Sequence, residues 1–265
     1  MPPPNSPPLS PSTPTTARRS SFDPSGADRA ARPIDAILFD LGGTLDGQGG
    51  WRDRFHRLFA EVGFDQCSRA QRIAAFDYAE ERSHATPEMG TVQLRPMLQK
   101  HIGWQLESLG LVDRNAEGEM VNRFVAEVEQ AAATNRLVLA TLLEQGFRLG
   151  VVSNACGNAA LLCEELGYSP MLSAIVDSHV FGVSKPDLAI FRHGLSLLGA
   201  EPERSAFVGD SLDRDIEPAK RLGMTTFWIA APPAKVPRPD EIPDATLASV
   251  AELPGLLQHQ RPRQA

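Results

Sequence analysis

Cysteine is scarce in this 265-residue chain: Cys67, Cys156 and Cys163 are the three, in no CxxC or zinc-ligand spacing. So placed, they build no disulfide framework and suit a reducing, cytoplasmic setting as small buried apolar groups. Basic residues are outnumbered, with 26 Lys and Arg against 33 Asp and Glu and a formal charge of −7. That balance lacks the basic face that nucleic acid or an anionic membrane surface requires. No apolar run approaches the ~20 residues of a bilayer span. Arg18-Arg19 opens like a twin-arginine export signal, but Asp23, Pro24 and Asp28 follow where an apolar stretch is needed. Lysine is rare as well, at positions 100, 185, 220 and 235 alone.

What is present is an ordinary globular composition, 42% hydrophobic and 22% charged, in three kinds of segment. Residues 1–33 hold nine prolines, six serines and three threonines, too little bulky apolar surface to offset ordering entropy, so a disordered tail is expected there. A short frayed terminus is expected over 258–265. Between them, continuous apolar runs alternate with helical patterns, the mark of a parallel sheet covered on both faces. The strand candidates are Ala36–Phe39, Arg148–Val152, Ala174–Val176, Ala206–Val208 and Thr225–Ile229. From 51 to 135 the period is helical instead, with Phe55, Leu58, Phe59 and Val62 and later Met120, Val121, Phe124, Val125 and Val128. The expected architecture is a doubly wound α/β core over 34–50 and 136–257, interrupted after its first strand by a helical cap over 51–135.

Ligands of open parallel sheets bind beyond the carboxyl ends of the strands, so the residues closing each strand carry the functional reading. The first strand ends in Asp40-Leu41-Gly42-Gly43-Thr44-Leu45-Asp46, an acid before a glycine-rich turn. Ser153-Asn154 follows the second, and Lys185-Pro186-Asp187 lies beyond the third. Gly209-Asp210-Ser211 closes the fourth, with Asp213 and Asp215 behind it. Two carboxylates brought to one small site repel unless a cation lies between them, and Mg²⁺ suits a few oxygen ligands.

In the order and spacing of these four segments the chain resembles the haloacid dehalogenase superfamily of hydrolases, over roughly residues 34–257. The resemblance implies a Rossmann-like core with a first-position cap, and Asp40 as a nucleophile that forms an aspartyl-phosphate on a small phosphorylated substrate. It further implies Ser153 and Lys185 as catalytic holders of the phosphate oxygens. Gly43, Thr44 and Asn154 become substrate-binding residues, with Thr44 also tying the loop by a hydroxyl-to-backbone bond. Mg²⁺ would be held by Asp40, the Gly42 carbonyl and Asp210. Asp215 would orient Lys185 or a metal-bound water, or cap the following helix.

One position departs from the pattern. The family's phosphatases usually carry an aspartate two residues after the nucleophile as general acid and base, and this chain has Gly42. Such a group contributes ~10²- to 10⁴-fold, so a slow or selective phosphatase is expected, favouring aryl or acyl leaving groups. Asp46 reads as a loop acid or, by loop movement, a replacement acid. A catalytically impaired binding or regulatory protein is the alternative reading. Gly42 also excludes by type the dehalogenase pattern, with tyrosine there, and stands closer to the phosphonatase pattern, with alanine and an imine-forming cap lysine, for which Lys100 is available. Gly47, Gly49 and Gly50 supply a flexible connection to the insert. Trp51, Arg52, Arg54 and His56 begin the insert nearest the site and read as helix surface or packing, with contact to the leaving group as the alternative.

Overall fold

The computed structural model describes residues 33–64, 66–231 and 243–258. The expected tail and frayed terminus lie outside the described residues, apart from Pro33 and Gln258. Six strands form one parallel sheet: β1 (Ala36–Phe39), β2 (Arg148–Ser153), β3 (Ala174–Asp177), β4 (Ser205–Gly209), β5 (Thr225–Ile229) and β6 (Ala245–Leu247). Their order is β3-β2-β1-β4-β5-β6, so the chain reverses direction across the sheet beside β1. β6 pairs Phe227 with Ala245 and Ile229 with Leu247; three residues, one of them polar, gave no apolar run to read.

Nine α-helices accompany the sheet among the described residues. Between β1 and β2 come α1 (Trp51–Glu61), α2 (Arg69–Ala85), α3 (Leu94–Ser108) and α4 (Arg114–Glu144), and after β2 come α5 (Ala159–Glu165), α6 (Ser178–Phe181), α7 (Leu188–Leu198), α8 (Glu217–Arg221) and α9 (Leu253–Leu257). Local chemistry sets several starts. Ser68 and Gln71 exchange side-chain and backbone bonds in a capping box at α2, and Asp113 accepts from Asn115 and Ala116 at α4. Asp187 of the third motif caps α7 through Ala189 N.

Alternate strand residues face opposite sides. Ala36, Leu38, Val152 and Phe207 pack against Ile190, Phe191 and Leu195 of α7. Ile37, Phe39, Leu149, Val151 and Val208 face Leu139 and Leu142 of α4 and Leu162 of α5. Phe55, Phe59, Leu98, Ile102 and Phe124 of the insert belong to this second cluster, so no break in apolar packing sets residues 51–135 apart. The expected boundary at 135/136 falls inside α4, a single helix of 31 residues, about 46 Å long at 1.5 Å per residue. Its apolar period continues through Val138, Leu139 and Leu142, which is why no sequence signal marks a break.

Candidate active site

Strand register brings the motifs together. Phe39 pairs with Val151 on one side and Val208 on the other, so Asp40 leaves the sheet between β2 and β4, its N–H donating to Val208 O at 2.8 Å. The turn that follows depends on glycine. Gly43 has φ +86°, and a Cβ there would lie 2.4 Å from Asp210 Oδ2. Gly209 is equally constrained, since a Cβ would meet Asp215 at 2.5 Å. These two close approaches let Asp210 and Asp215 crowd the end of β1.

Lys185 joins the acids. Its ammonium donates to Asp40 Oδ1 at 2.6 Å and to Asp215 Oδ1 at 2.7 Å, and all three residues are buried. Asp215 accepts a further bond from Ser211 N at 3.0 Å, which anchors its carboxylate beside Lys185. Burial opposes charge on Lys185, but Asp215 and Asp40 outweigh it and hold its pKa above the ordinary value. Burial pushes Asp40 up to about 6 against the pull of Lys185, with Asp215 adding repulsion. Asp210 is held well above the usual carboxylate range by burial and by repulsion from Asp40 and Asp215.

The donor set fits a hard divalent cation. One carboxylate oxygen from each of Asp40, Asp210 and Asp215 lies within 4.8 Å of the others. Asp210 Oδ1 is buried with no hydrogen-bond partner, although the residue is anchored through Trp228 Nε1 donating to its backbone carbonyl at 2.9 Å. A buried carboxylate oxygen left unpaired is costly, and a cation would satisfy it.

The remaining expected residues divide. Ser153 is buried and, with Asn154, Gly42, Asp40, Lys185, Asp210 and Asp215, lines a cavity of about 1000 Å³. Asn154 uses its amide on the backbone of Lys185, accepting from its N–H at 2.8 Å and donating to its carbonyl at 3.0 Å. It therefore holds Lys185 in place with its oxygen and one of its two amide hydrogens. Gly43 N–H is engaged by Asp46 Oδ1 at 2.6 Å, which removes it as an anion donor. Thr44 Oγ1 forms no bond to the backbone and is buried without a partner; the residue lines a separate cavity of about 420 Å³ behind the loop. Lys100 is exposed on α3 and lies outside both cavities, so it supplies no imine-forming amine.

Sequence reading missed a second layer. Asp46, beyond its bond to Gly43, accepts from Trp51 Nε1 at 2.5 Å and pairs with Arg54 at 3.3 Å. Burial raises its pKa in spite of Arg54. Leu45 O accepts from Tyr168 OH at 2.8 Å and Asn135 Nδ2 at 2.9 Å. The loop is thus clamped from α1, α4 and the segment after α5, by residues that belong to no motif. Arg214 also lines the larger cavity; its position between Asp213 and Asp215 was the available signal.

Fold and site together suit a hydrolase, and comparison identifies the family. The sequence pattern of haloacid dehalogenase-like hydrolases matches residues 34–223, and the chain belongs to that family. It is similar to glyceraldehyde 3-phosphate phosphatase of Methanocaldococcus jannaschii, 36% identical over 125 residues that make up 45% of this chain and 54% of that protein. It is also similar to phosphoglycolate phosphatase of Aquifex aeolicus, 35% identical over 125 residues, 46% of this chain and 56% of that protein. The chain thus spans about half the length of these curated relatives. The HAD-hydrolase YfnB of Bacillus subtilis, solved bound to magnesium, shares the fold with a TM-score of 0.55 at 21% identity, over 85% of this chain and 99% of that one.

Proposed function

We propose that the protein is a Mg²⁺-dependent phosphatase acting on a small phosphorylated metabolite, with Asp40 as nucleophile. The observation that carries this reading is the buried Lys185 ammonium bridging Asp40 and Asp215 beside the unpartnered Asp210 oxygen. The phosphatase names of the relatives and the magnesium of the structural neighbour support it.

Asp40, Asp210 and the Gly42 carbonyl would hold the Mg²⁺, which supplies charge neutralisation between an anionic nucleophile and an anionic ester. Asp40 attacks phosphorus, the bond to the leaving oxygen breaks, and the phosphoryl group rests on Asp40 until water cleaves it. Lys185 and Ser153 hold the other phosphate oxygens, while Asp215 and Asn154 keep Lys185 in place. The helices over 51–135 act as the cap that shapes the cavity.

Gly42 leaves the leaving group without the usual acid. Asp46 does not replace it at rest, because both of its oxygens are engaged by Gly43, Trp51 and Arg54. The site accepts a restored carboxylate: a Cβ on Gly42 meets nothing closer than Trp51 Nε1 at 3.4 Å. Release of phosphate from p-nitrophenyl phosphate, with and without Mg²⁺, tests the reading. Turnover should require the metal, and Gly42→Asp should raise it on alkyl phosphates by about 10²-fold or more. Activity in Gly42→Asp alone would instead establish an impaired, binding-type protein, and inactivity of both would refute the phosphatase.

A further inference from the structure

Resting on the phosphatase reading, we infer that the substrate carries a second anionic oxygen group beside its phosphate, received by Arg54 on the insert wall of the cavity. The insert contributes Arg52, Arg54, Arg57 and Arg69 to this wall, against Asp53 and Glu80. Glu80 is already engaged, its two oxygens facing His101 at 3.3 Å and His84 at 3.5 Å. The cavity therefore has an acidic, metal-suited pole on the sheet and a cationic wall opposite.

Arg54 is the under-satisfied member of that wall. It is 4% exposed, with its guanidinium over the Phe124 ring at 3.9 Å. Its carboxylate contacts are long, 3.3 Å to Asp46 and 3.4 Å to Glu127. Both acids make shorter bonds elsewhere, Asp46 to Gly43 and Trp51 at 2.6 and 2.5 Å, and Glu127 to Arg57 at 2.8 and 2.9 Å. Nη2 of Arg54 is buried with no partner. A guanidinium presents five donors, and a buried one with an idle nitrogen carries a standing desolvation cost that an anionic oxygen removes. Arg54 also borders the smaller cavity behind the loop, but the reacting groups Asp40, Ser153 and Lys185 line only the larger one, and a substrate's second group must lie there. Among the described residues Arg69, exposed on the same wall, forms no ion pair, and it adds attraction for a negatively charged ligand. The consequence is selectivity: a phosphorylated carboxylic acid or a bisphosphate is preferred over a phosphate ester with a neutral body.

The test compares kcat/KM for 2-phosphoglycolate, ethylene glycol bisphosphate and ethyl phosphate in the wild type, Arg54→Met and Arg54→Lys. The wild type should favour one of the two substrates with an anionic tail over ethyl phosphate by about tenfold or more, the worth of a hydrogen bond to a charged group. Preference for 2-phosphoglycolate identifies the second group as a carboxylate, and preference for the bisphosphate identifies a phosphate. Arg54→Met should erase most of the preference through KM, and Arg54→Lys should restore part of it. Equal losses on the charged and neutral substrates would show that Arg54 only clamps the loop, and no preference in the wild type would overturn the inference outright. If no ester turns over, p-nitrophenyl phosphate included, the phosphatase reading fails. Calorimetric binding of 2-phosphoglycolate against ethyl phosphate then decides the Arg54 inference separately.

Discussion

Lys185 concentrates the chemistry of the site in one side chain. Its ammonium is the only group hydrogen-bonded to both Asp40 and Asp215 among the described residues, and it is raised in pKa by the acids it separates. A cation with a raised folded pKa contributes stability that is fully present below its unfolded pKa, so Lys185 stays charged across the neutral range, and its pairing weakens on the acid side only as Asp40 takes up a proton. Asp40 behaves oppositely: with a folded value of about 6 against 3.8 unfolded, its ionisation costs stability as pH rises through that window. Lys185→Met should therefore lower the unfolding free energy of the metal-free protein by about 3–5 kcal/mol at pH 8, where Asp40 is left to carry a buried charge unpaired or to take up a proton against the bulk pH. At pH 5, where Asp40 accepts a proton, the loss should be smaller. Urea titrations at the two pH values give the comparison, and equal losses would contradict the coupling.

At the scale of elements, the site depends on how closely α7 and the first strands approach. Gly194 faces the sheet, and a Cβ there would sit 2.9 Å from Val152 Cγ2 and 3.2 Å from Leu38 Cδ1. Gly194→Ala should destabilise the protein by about 1–3 kcal/mol through overpacking, despite alanine's better helix propensity. A thermal melt showing a gain would mean that α7 has room to move. The elements legible in the sequence were those with an unambiguous period: the five apolar strands and the helical insert. β6 was illegible because Ala245–Leu247 has neither length nor alternation. The extent of α4 was illegible because a helix that packs first on the insert and then on the sheet keeps one period throughout. Within the site, the ends of parallel strands are compelled to converge, so Asp40, Ser153, Lys185 and Asp210 were readable. Asp46, Trp51 and Arg54 were not, since their meeting depends on where α1 starts after a turn of three glycines. Gly43, Thr44 and Asn154 were assigned to substrate by type; the Gly43 N–H is engaged with Asp46, the Thr44 hydroxyl is unpaired behind the loop, and one Asn154 amide hydrogen is engaged with Lys185.

Across the whole molecule, charge is segregated within a modestly acidic protein. Carboxylates gather at the carboxyl ends of β1 and β4, and arginines gather on α1 and α2 across the same cavity. No described helix is long and apolar enough to cross a membrane. The arrangement suits a ligand whose phosphate meets the sheet and whose body meets the insert, and the proposed reaction requires a covalent phosphoryl group on Asp40. The most direct measurement is peptide mass spectrometry of the Mg²⁺-loaded enzyme quenched in acid during turnover of p-nitrophenyl phosphate. One phosphoryl group is expected on the peptide containing Asp40, chased off by dilution into buffer before the quench and absent in Asp40→Asn. Turnover that proceeds with no phosphorylated Asp40, or that persists in Asp40→Asn, would contradict the assignment of the nucleophile.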